Sequence, residues 1–209
     1  MVGWAILRGV NGLRGKGVLV TGAASAETGE LLADWCSFLD RGLTPSAVGS
    51  SGAVDGNPGG TLARTFLALG DDPTQVAGDD VAAAVVGGRA VVSAGPFIEL
   101  TAVDGGGNDA GPGGTVDAGT VTLSIRVLGP SWVGIDQVRV IGPGCAPVAT
   151  FAVDPGDYTS PVWFEDQVEV SGSAGDYFLV EASGSAGMDP VWPDATPYAV
   201  TNPVYLASP

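Results

Sequence analysis

The stretch Thr120-Val-Thr-Leu-Ser-Ile-Arg-Val127 decides the fold of this chain. Apolar side chains occupy every second position, and threonine, serine and arginine fill the positions between them. A period of two places one set on each face of an extended strand. The stretch therefore predicts a β-strand with one buried face and one solvent-facing face.

Similar alternating runs follow at 133–141, 162–170 and 177–182, separated by clusters of glycine, proline, aspartate and serine. Strands at this spacing without intervening helices are typical of an antiparallel β-sandwich. We therefore predict a sandwich domain at 98–209 that folds independently. Its predicted core is Leu123, Ile125, Val127, Trp132, Val138, Val140, Trp163, Phe178 and Val180.

The first half has a different character, which makes the predicted fold class α+β, mostly β. Apolar residues at helical spacing predict a helix over 27–42, ended by Gly42. A short strand near 44–49 opens into a glycine-rich loop, and a second helix is predicted over 79–86 with Asp79 as its N-cap. A strand over 89–93 completes a predicted α/β unit at 1–97.

Charge excludes several partner classes. The formal net charge is −15, with one lysine and seven arginines. Such a surface repels nucleic-acid phosphates and anionic membranes, so neither is expected as a partner. No apolar run approaches the length of a membrane span, and the first eight residues lack the pattern of a secretory signal.

Two glycine-rich segments imitate nucleotide-binding motifs. Residues 17–29 resemble a dinucleotide-binding turn, but Ala26 and Thr28 replace the second and third glycines. Residues 12–16 lack the first glycine of a P-loop, and Gly17 stands where serine or threonine would hold magnesium. The chain contains no histidine, so no Ser-His-acid relay can form. We therefore expect no nucleotide cofactor and no serine hydrolase.

The acidic loop at 104–119 and the two cysteines each allow two interpretations. The loop could chelate calcium through Asp104, Asn108, Asp109 and Asp117, although a solvated connection is the simpler prediction. Cys36 is predicted to be a buried small side chain and Cys145 a loop thiol, with a bridge between them as the alternative. Trp132, Trp163 and Trp192 are predicted to anchor the core rather than to form a stacking platform.

Three segments taken together resemble the C-terminal portion of the PHP-domain metal-dependent hydrolases of the carbaryl-hydrolase-like group. They are Asp34-Trp35 with Phe38 to Thr44 and then Ala47 to Ser51, Gly88 to Phe97, and Ala199 to Leu206. The resemblance covers most of 31–100 and the C-terminus. It implies that 1–97 is the remnant of a PHP-like α/β barrel.

The resemblance also implies a lost metal site. In that family a loop after the strand supplies an aspartate and a histidine to the metal, and the matching positions here are Gly52 and Val54. Neither can ligate a metal, so no catalytic residue, metal or cofactor is expected. The predicted function is a non-catalytic binding or structural module, a pseudoenzyme with its metal site lost.

Two alternatives stay open. The chain is a fragment of a phosphoesterase or of a carbamate or ester hydrolase, whose metal site comes from an upstream segment or a partner; a secretion signal could then also lie upstream. Alternatively it is a hydrolase with a site built without histidine. Because a barrel cannot close with two or three strands, we also predict self-association or a partner subunit at the incomplete α/β half.

Overall fold

The computed structural model of the chain describes residues 18–21, 28–49, 63–70, 72–154, 160–192 and 195–209. Two α-helices lie in the first half: α1 (Thr28–Leu39) and α2 (Gly78–Val86). The strands are β1 (Val18–Thr21), β2 (Ser46–Gly49), β3 (Arg64–Leu67), β4 (Ala90–Ala94), β5 (Phe97–Asp104), β6 (Asp109–Ala110), β7 (Thr115–Asp117), β8 (Gly119–Leu128), β9 (Gln137–Gly142), β10 (Ala146–Ala152), β11 (Val162–Gly172), β12 (Tyr177–Ser183), β13 (Tyr198–Thr201) and β14 (Val204–Ala207).

A four-stranded sheet in the order β11-β8-β5-β6 forms one layer. Its neighbouring strands are all antiparallel. The alternating stretch 120–127 lies in β8, where the four predicted inner residues, Val121, Leu123, Ile125 and Val127, are fully buried. The period-two prediction is confirmed.

A larger sheet forms the middle layer. Its main path is β10-β9-β12-β13-β4-β3, with antiparallel pairing throughout, and β14 joins β12 to β7. Side chains from the inner faces of both sheets form one apolar cluster, which includes Ile125 from β8 and Val138 and Val180 from the larger sheet. The prediction of a mostly β protein with antiparallel, sandwich-like sheets is confirmed.

The tryptophans lie at the margin of this cluster. Trp132, Trp163 and Trp192 are half-buried and pack against it, whereas its buried members are aliphatic residues together with Phe178 and Met188. The predicted core list is therefore correct for its aliphatic members and Phe178, whereas Trp132 and Trp163 cover the core from outside.

Helix α1 covers the outer face of the larger sheet and forms a third layer. Leu32, Trp35 and Leu39 are buried and pack with Leu179 and Val200 of that sheet. Helix α1 connects β1 and β2, which pair in parallel. Gly42 adopts φ +72° just after the helix, a left-handed conformation that glycine takes at no steric cost. The predicted helix and its stop are confirmed.

A disulfide joins Cys36 on α1 to Cys145, which follows β9. The prediction of two separate thiols is wrong. The two cysteines are 109 positions apart in the sequence, so no local pattern indicates that they are close, and the contact arises because α1 lies across β9 and β12. Asp40 strengthens this junction: its Oδ1 accepts hydrogen bonds from the Gly144 amide at 2.9 Å and the Tyr177 hydroxyl at 3.0 Å.

The larger sheet crosses the predicted boundary at residue 98. Strands β3 and β4 precede that boundary. Strand β4 nevertheless pairs with β13, from Val91 opposite Thr201 to Ala94 opposite Tyr198. Helix α1 buries its apolar face on strands that follow the boundary. The two predicted domains therefore share a sheet, a core cluster and a disulfide.

Two local predictions require correction. Residues 104–119 are not a structureless loop, because they contain β6 and β7 and a buried Asp104. Helix α2 starts at Gly78 with Ala77 at the N-cap, and Asp80 rather than Asp79 accepts a hydrogen bond from the cap amide, at 2.9 Å. Among the described residues, no helix is both long enough and apolar enough to span a membrane.

Candidate functional site

One buried asparagine joins the three segments that carry the family resemblance. The Asn202 side chain accepts a hydrogen bond from the Ala47 amide at 2.8 Å and donates to the Ala47 and Ala90 carbonyls, each at 3.0 Å. Asn202 is 1% exposed and Ala47 is fully buried. Because Ala47, Ala90 and Asn202 belong to the first, second and third segments, one side chain holds all three together.

A cavity of about 390 Å³ lies beside this junction. Leu39, Gly42 and Leu43 line it from the first segment, Gly88 from the second and Tyr205 from the third. Its volume is in the range of small-molecule sites. All three segments therefore meet around one concave space as well as at one asparagine.

Glycines bring the walls of this cavity close together. Gly113, at φ +80°, packs so tightly on the end of α2 that a Cβ there would lie 2.1 Å from the Gly87 carbonyl oxygen. Any other residue would push the turn before β7 away from α2. The glycine therefore fixes Thr115, two residues later, at the rim of the cavity.

The electrostatics of the cavity are negative. It is lined by residues at the C-terminal ends of both α1 and α2, and neither helix has a basic residue in its last turn. A helix C-terminus carries a partial negative charge. Among the described lining residues, Asp176 is the one charged side chain. Exposed Arg41 lies outside the lining, and Arg89 lines a separate apolar groove near Phe66.

Two tyrosines face each other on the paired strands β12 and β14, and one of them lines the cavity. Burial raises the pKa of Tyr205 to about 12, so its hydroxyl stays protonated and can donate a hydrogen bond at neutral pH. Burial, and then the hydrogen bond to Asp40, raise the pKa of Tyr177 above its ordinary value. The Tyr177 hydroxyl donates its hydrogen bond to Asp40, whereas Tyr205 lines the cavity.

A second polar cluster lies on the outer face of the larger sheet. Glu181 is 5% exposed and is paired with Arg139 on the neighbouring strand, with Nε 2.5 Å from Oε2. Burial, and then the charge of Glu181, raise the pKa of Tyr198 well above its ordinary value. The opposite charges of Glu181 and Arg139 offset each other, and the pair joins β12 to β9 at directly opposed positions.

The Asp104 carboxylate forms its hydrogen bonds within the acidic loop. Asp104 accepts hydrogen bonds from the amides of Gly106, Asn108 and Asp117 and from the Asn108 side chain, at 2.9–3.3 Å. The Asn108 side chain, followed by the Asp117 amide, lowers the Asp104 pKa to about 2. Of the calcium ligands considered from sequence, Asp104 and Asn108 are thus brought together, but as partners of each other.

The degenerate metal-loop positions Gly52 and Val54 lie outside the described residues, as do residues 12–16 and the turn 22–27 of the dinucleotide-like segment. The described parts of that segment form β1 and the start of α1. Within the described part of the chain, no group of three or more cysteine, aspartate or glutamate side chains is arranged to hold a metal ion. Comparisons with known proteins found no matching family model, curated protein or solved structure.

No sequence pattern indicated that Thr115, Asp176 and Tyr205 share a site. They lie on β7, before β12 and on β14, and only the pairing of β14 with both strands brings them together. The sequence did contain one indication of this junction. The segment from Ala199 to Leu206 includes Tyr205, and within its apolar run Thr201 and Asn202 are polar. Both side chains proved to be buried and bonded to other strands.

Proposed function

We propose that this chain is a non-catalytic binding or structural module that retains the framework of a PHP-like hydrolase. The observation that carries the proposal is the use of the resembling segments for packing. Asn202 holds two other segments, Thr201 accepts from the Val180 amide at 3.0 Å, and Trp35 donates to the Pro45 carbonyl at 2.8 Å. These groups serve the fold and leave the 390 Å³ cavity as the place for a ligand.

The side chains available as metal ligands support the same proposal. Hydrolytic zinc, manganese and iron sites rely on imidazole and carboxylate ligands around an open water position. The chain has no histidine, and Gly52 and Val54 stand at the two matching ligand positions. A chain with these residues has few of the ligands that such a metal requires.

Metal content and hydrolysis test the proposal. Purified protein should hold well below one zinc, manganese or iron per chain after incubation with each metal and desalting, and should not hydrolyse phosphoesters or carbamate esters. A stoichiometric metal, with hydrolysis that rises in proportion to it, would refute the non-catalytic assignment.

The runner-up is a hydrolase fragment whose metal site is completed by an upstream segment or a partner. The parallel β1–β2 pair connected by α1 favours it, since a βαβ unit is the repeating element of an α/β barrel. An open reading frame upstream with a His-x-His motif, or a co-purifying subunit that confers metal-dependent hydrolysis, would decide for it. The predicted self-association at this half is tested by the mass of the purified protein in solution.

The disulfide adds a proposal about location. Disulfides persist in oxidising compartments and are rare in the cytosol. The Cys36–Cys145 bridge therefore supports a secreted or periplasmic protein. Fractionation of the native host, with mass spectrometry of the unreduced protein, tests this.

A further inference from the structure

The cavity between the two helix ends has a chemistry that selects among ligands. Its apolar lining residues include Leu39, Leu43 and Leu206, and its polar lining residues include Asp176 and Tyr205. A largely apolar lining with a single acidic residue matches a ligand that is aliphatic along its length and cationic at its tip.

We propose that this cavity binds a primary ammonium group on a short aliphatic chain, an inference that rests on the proposed binding function. The ammonium has three donors and no acceptor. It can donate to Asp176 and also lies near the negative ends of α1 and α2, which no basic residue in their last turns offsets. The aliphatic stem contacts the leucines.

Competing ligand classes fit less well. An anion would meet Asp176, two helix C-termini and a chain of net charge −15. A divalent metal ion requires several carboxylate or imidazole ligands, and the described lining residues supply one carboxylate. A neutral alcohol would fill the apolar part but gain no charge-assisted hydrogen bond from Asp176.

The charge of Asp176 is available for this role. Its Oδ2 accepts one hydrogen bond, from the Ser173 amide at 2.7 Å, and the described residues place no cation beside it. Asp176 is half-buried directly before β12. The hydrogen bond from the Ser173 amide orients its carboxylate, and the described residues donate no hydrogen bond to Oδ1, which can therefore accept one from a ligand. Replacement by asparagine keeps an acceptor for Ser173 and removes the charge alone.

The test is a titration of the full chain, followed by NMR, with n-butylammonium as the probe and 1-butanol and butyrate as matched neutral and anionic controls. We expect shifts of the Asp176, Thr115 and Leu206 amides with butylammonium, weaker binding of butanol and none of butyrate. Asp176→Asn should weaken butylammonium binding about five- to ten-fold. Glu165→Gln, the same charge change on the four-stranded sheet, should leave it unchanged.

A second variant keeps the proposal falsifiable if Asp176→Asn perturbs the fold. Thr115 is exposed on β7 at the rim, so Thr115→Trp should fold and obstruct the cavity, abolishing binding. A Gly-Gly-Lys-Gly-Gly peptide with an acetylated N-terminus distinguishes the source of the ammonium: binding of the peptide indicates a lysine side chain of a partner, and binding of butylammonium alone indicates a free amine.

Equal affinity for butanol and butylammonium, or binding that survives both variants, would overturn the assignment. So would the absence of any shift. Each of these results leaves the non-catalytic proposal intact, because that proposal depends on metal content and hydrolysis.

Discussion

Replacing Asn202 by alanine should be among the most destabilising single changes in this chain. Its side chain makes three hydrogen bonds, to the Ala47 amide, the Ala47 carbonyl and the Ala90 carbonyl. The Ala90 carbonyl keeps the Asn202 main-chain amide as a donor at 3.1 Å. The Ala47 amide and carbonyl would lose these partners while remaining buried.

The magnitude follows from those two groups. A buried polar group left without a partner costs about 1–3 kcal/mol, so we expect Asn202→Ala to lower the free energy of unfolding by about 3 kcal/mol. For a chain of this size, that corresponds to a decrease in Tm of about 6–12 °C. Asn202→Asp should be at least as harmful, because it removes both donated hydrogen bonds and buries a charge.

Thermal unfolding followed by circular dichroism measures the effect, with Gln167→Ala as the control. Gln167 is exposed on β11, and its side chain makes a single hydrogen bond, to Ser124, so its loss should change stability by less than about 0.5 kcal/mol. A decrease in Tm for Asn202→Ala no larger than for the control would refute the view that this side chain holds the helical layer on the sheet.

Three further outcomes are expected. Replacing Cys36 and Cys145 by alanine should lower stability by about 3–5 kcal/mol in denaturant titrations, because the bridge closes a long loop; equal stability of the reduced and oxidised protein would contradict this. The pKa of Asp104 is lowered from 3.8 to about 2, so its contribution to the free energy of unfolding is present above about pH 4 and is lost as the pH falls towards 2. Asp104→Asn should remove that part of the loss of stability in acid, and an unchanged dependence of stability on pH would refute the assignment. Fragment 98–209 alone should unfold without a cooperative transition, because it lacks β4 and α1; a sharp melt would instead confirm the boundary predicted from sequence.

Local patterns predicted the elements well and their assembly less well. The period-two runs gave β8, β11 and β12, and the helical stripe with Gly42 gave α1, because each pattern is set within one element. Strand β3 was missed, since its four residues follow a glycine-rich stretch and carry no long alternation. The pairing of β4 with β13 joins residues more than a hundred positions apart, which no local period encodes.

The candidate site was least accessible from sequence. The metal-loop positions Gly52 and Val54 follow from the resemblance alone, whereas the cavity depends on where β7, β12 and β14 meet. Asp176 resembles any turn aspartate in sequence, and its position beside two helix ends emerges only in the folded chain. Polar residues within apolar runs, such as Asn202, are the best local indication of such junctions, because burial of a polar group requires a partner.

The larger sheet explains how a helical layer and a sandwich can depend on each other. Its inner face packs on the four-stranded sheet, and its outer face packs on α1, so strand β12 contributes Val180 to one core cluster and Leu179 to the other. A strand whose two faces are both buried cannot lose either layer without exposing apolar surface to water. The cavity lies at one end of this arrangement, where α1 and α2 end beside β14, and its shape therefore depends on both layers being in place. A ligand bound there would stabilise the attachment of the helical layer, so binding of an amine should raise the Tm of the whole chain and lose that effect in Thr115→Trp.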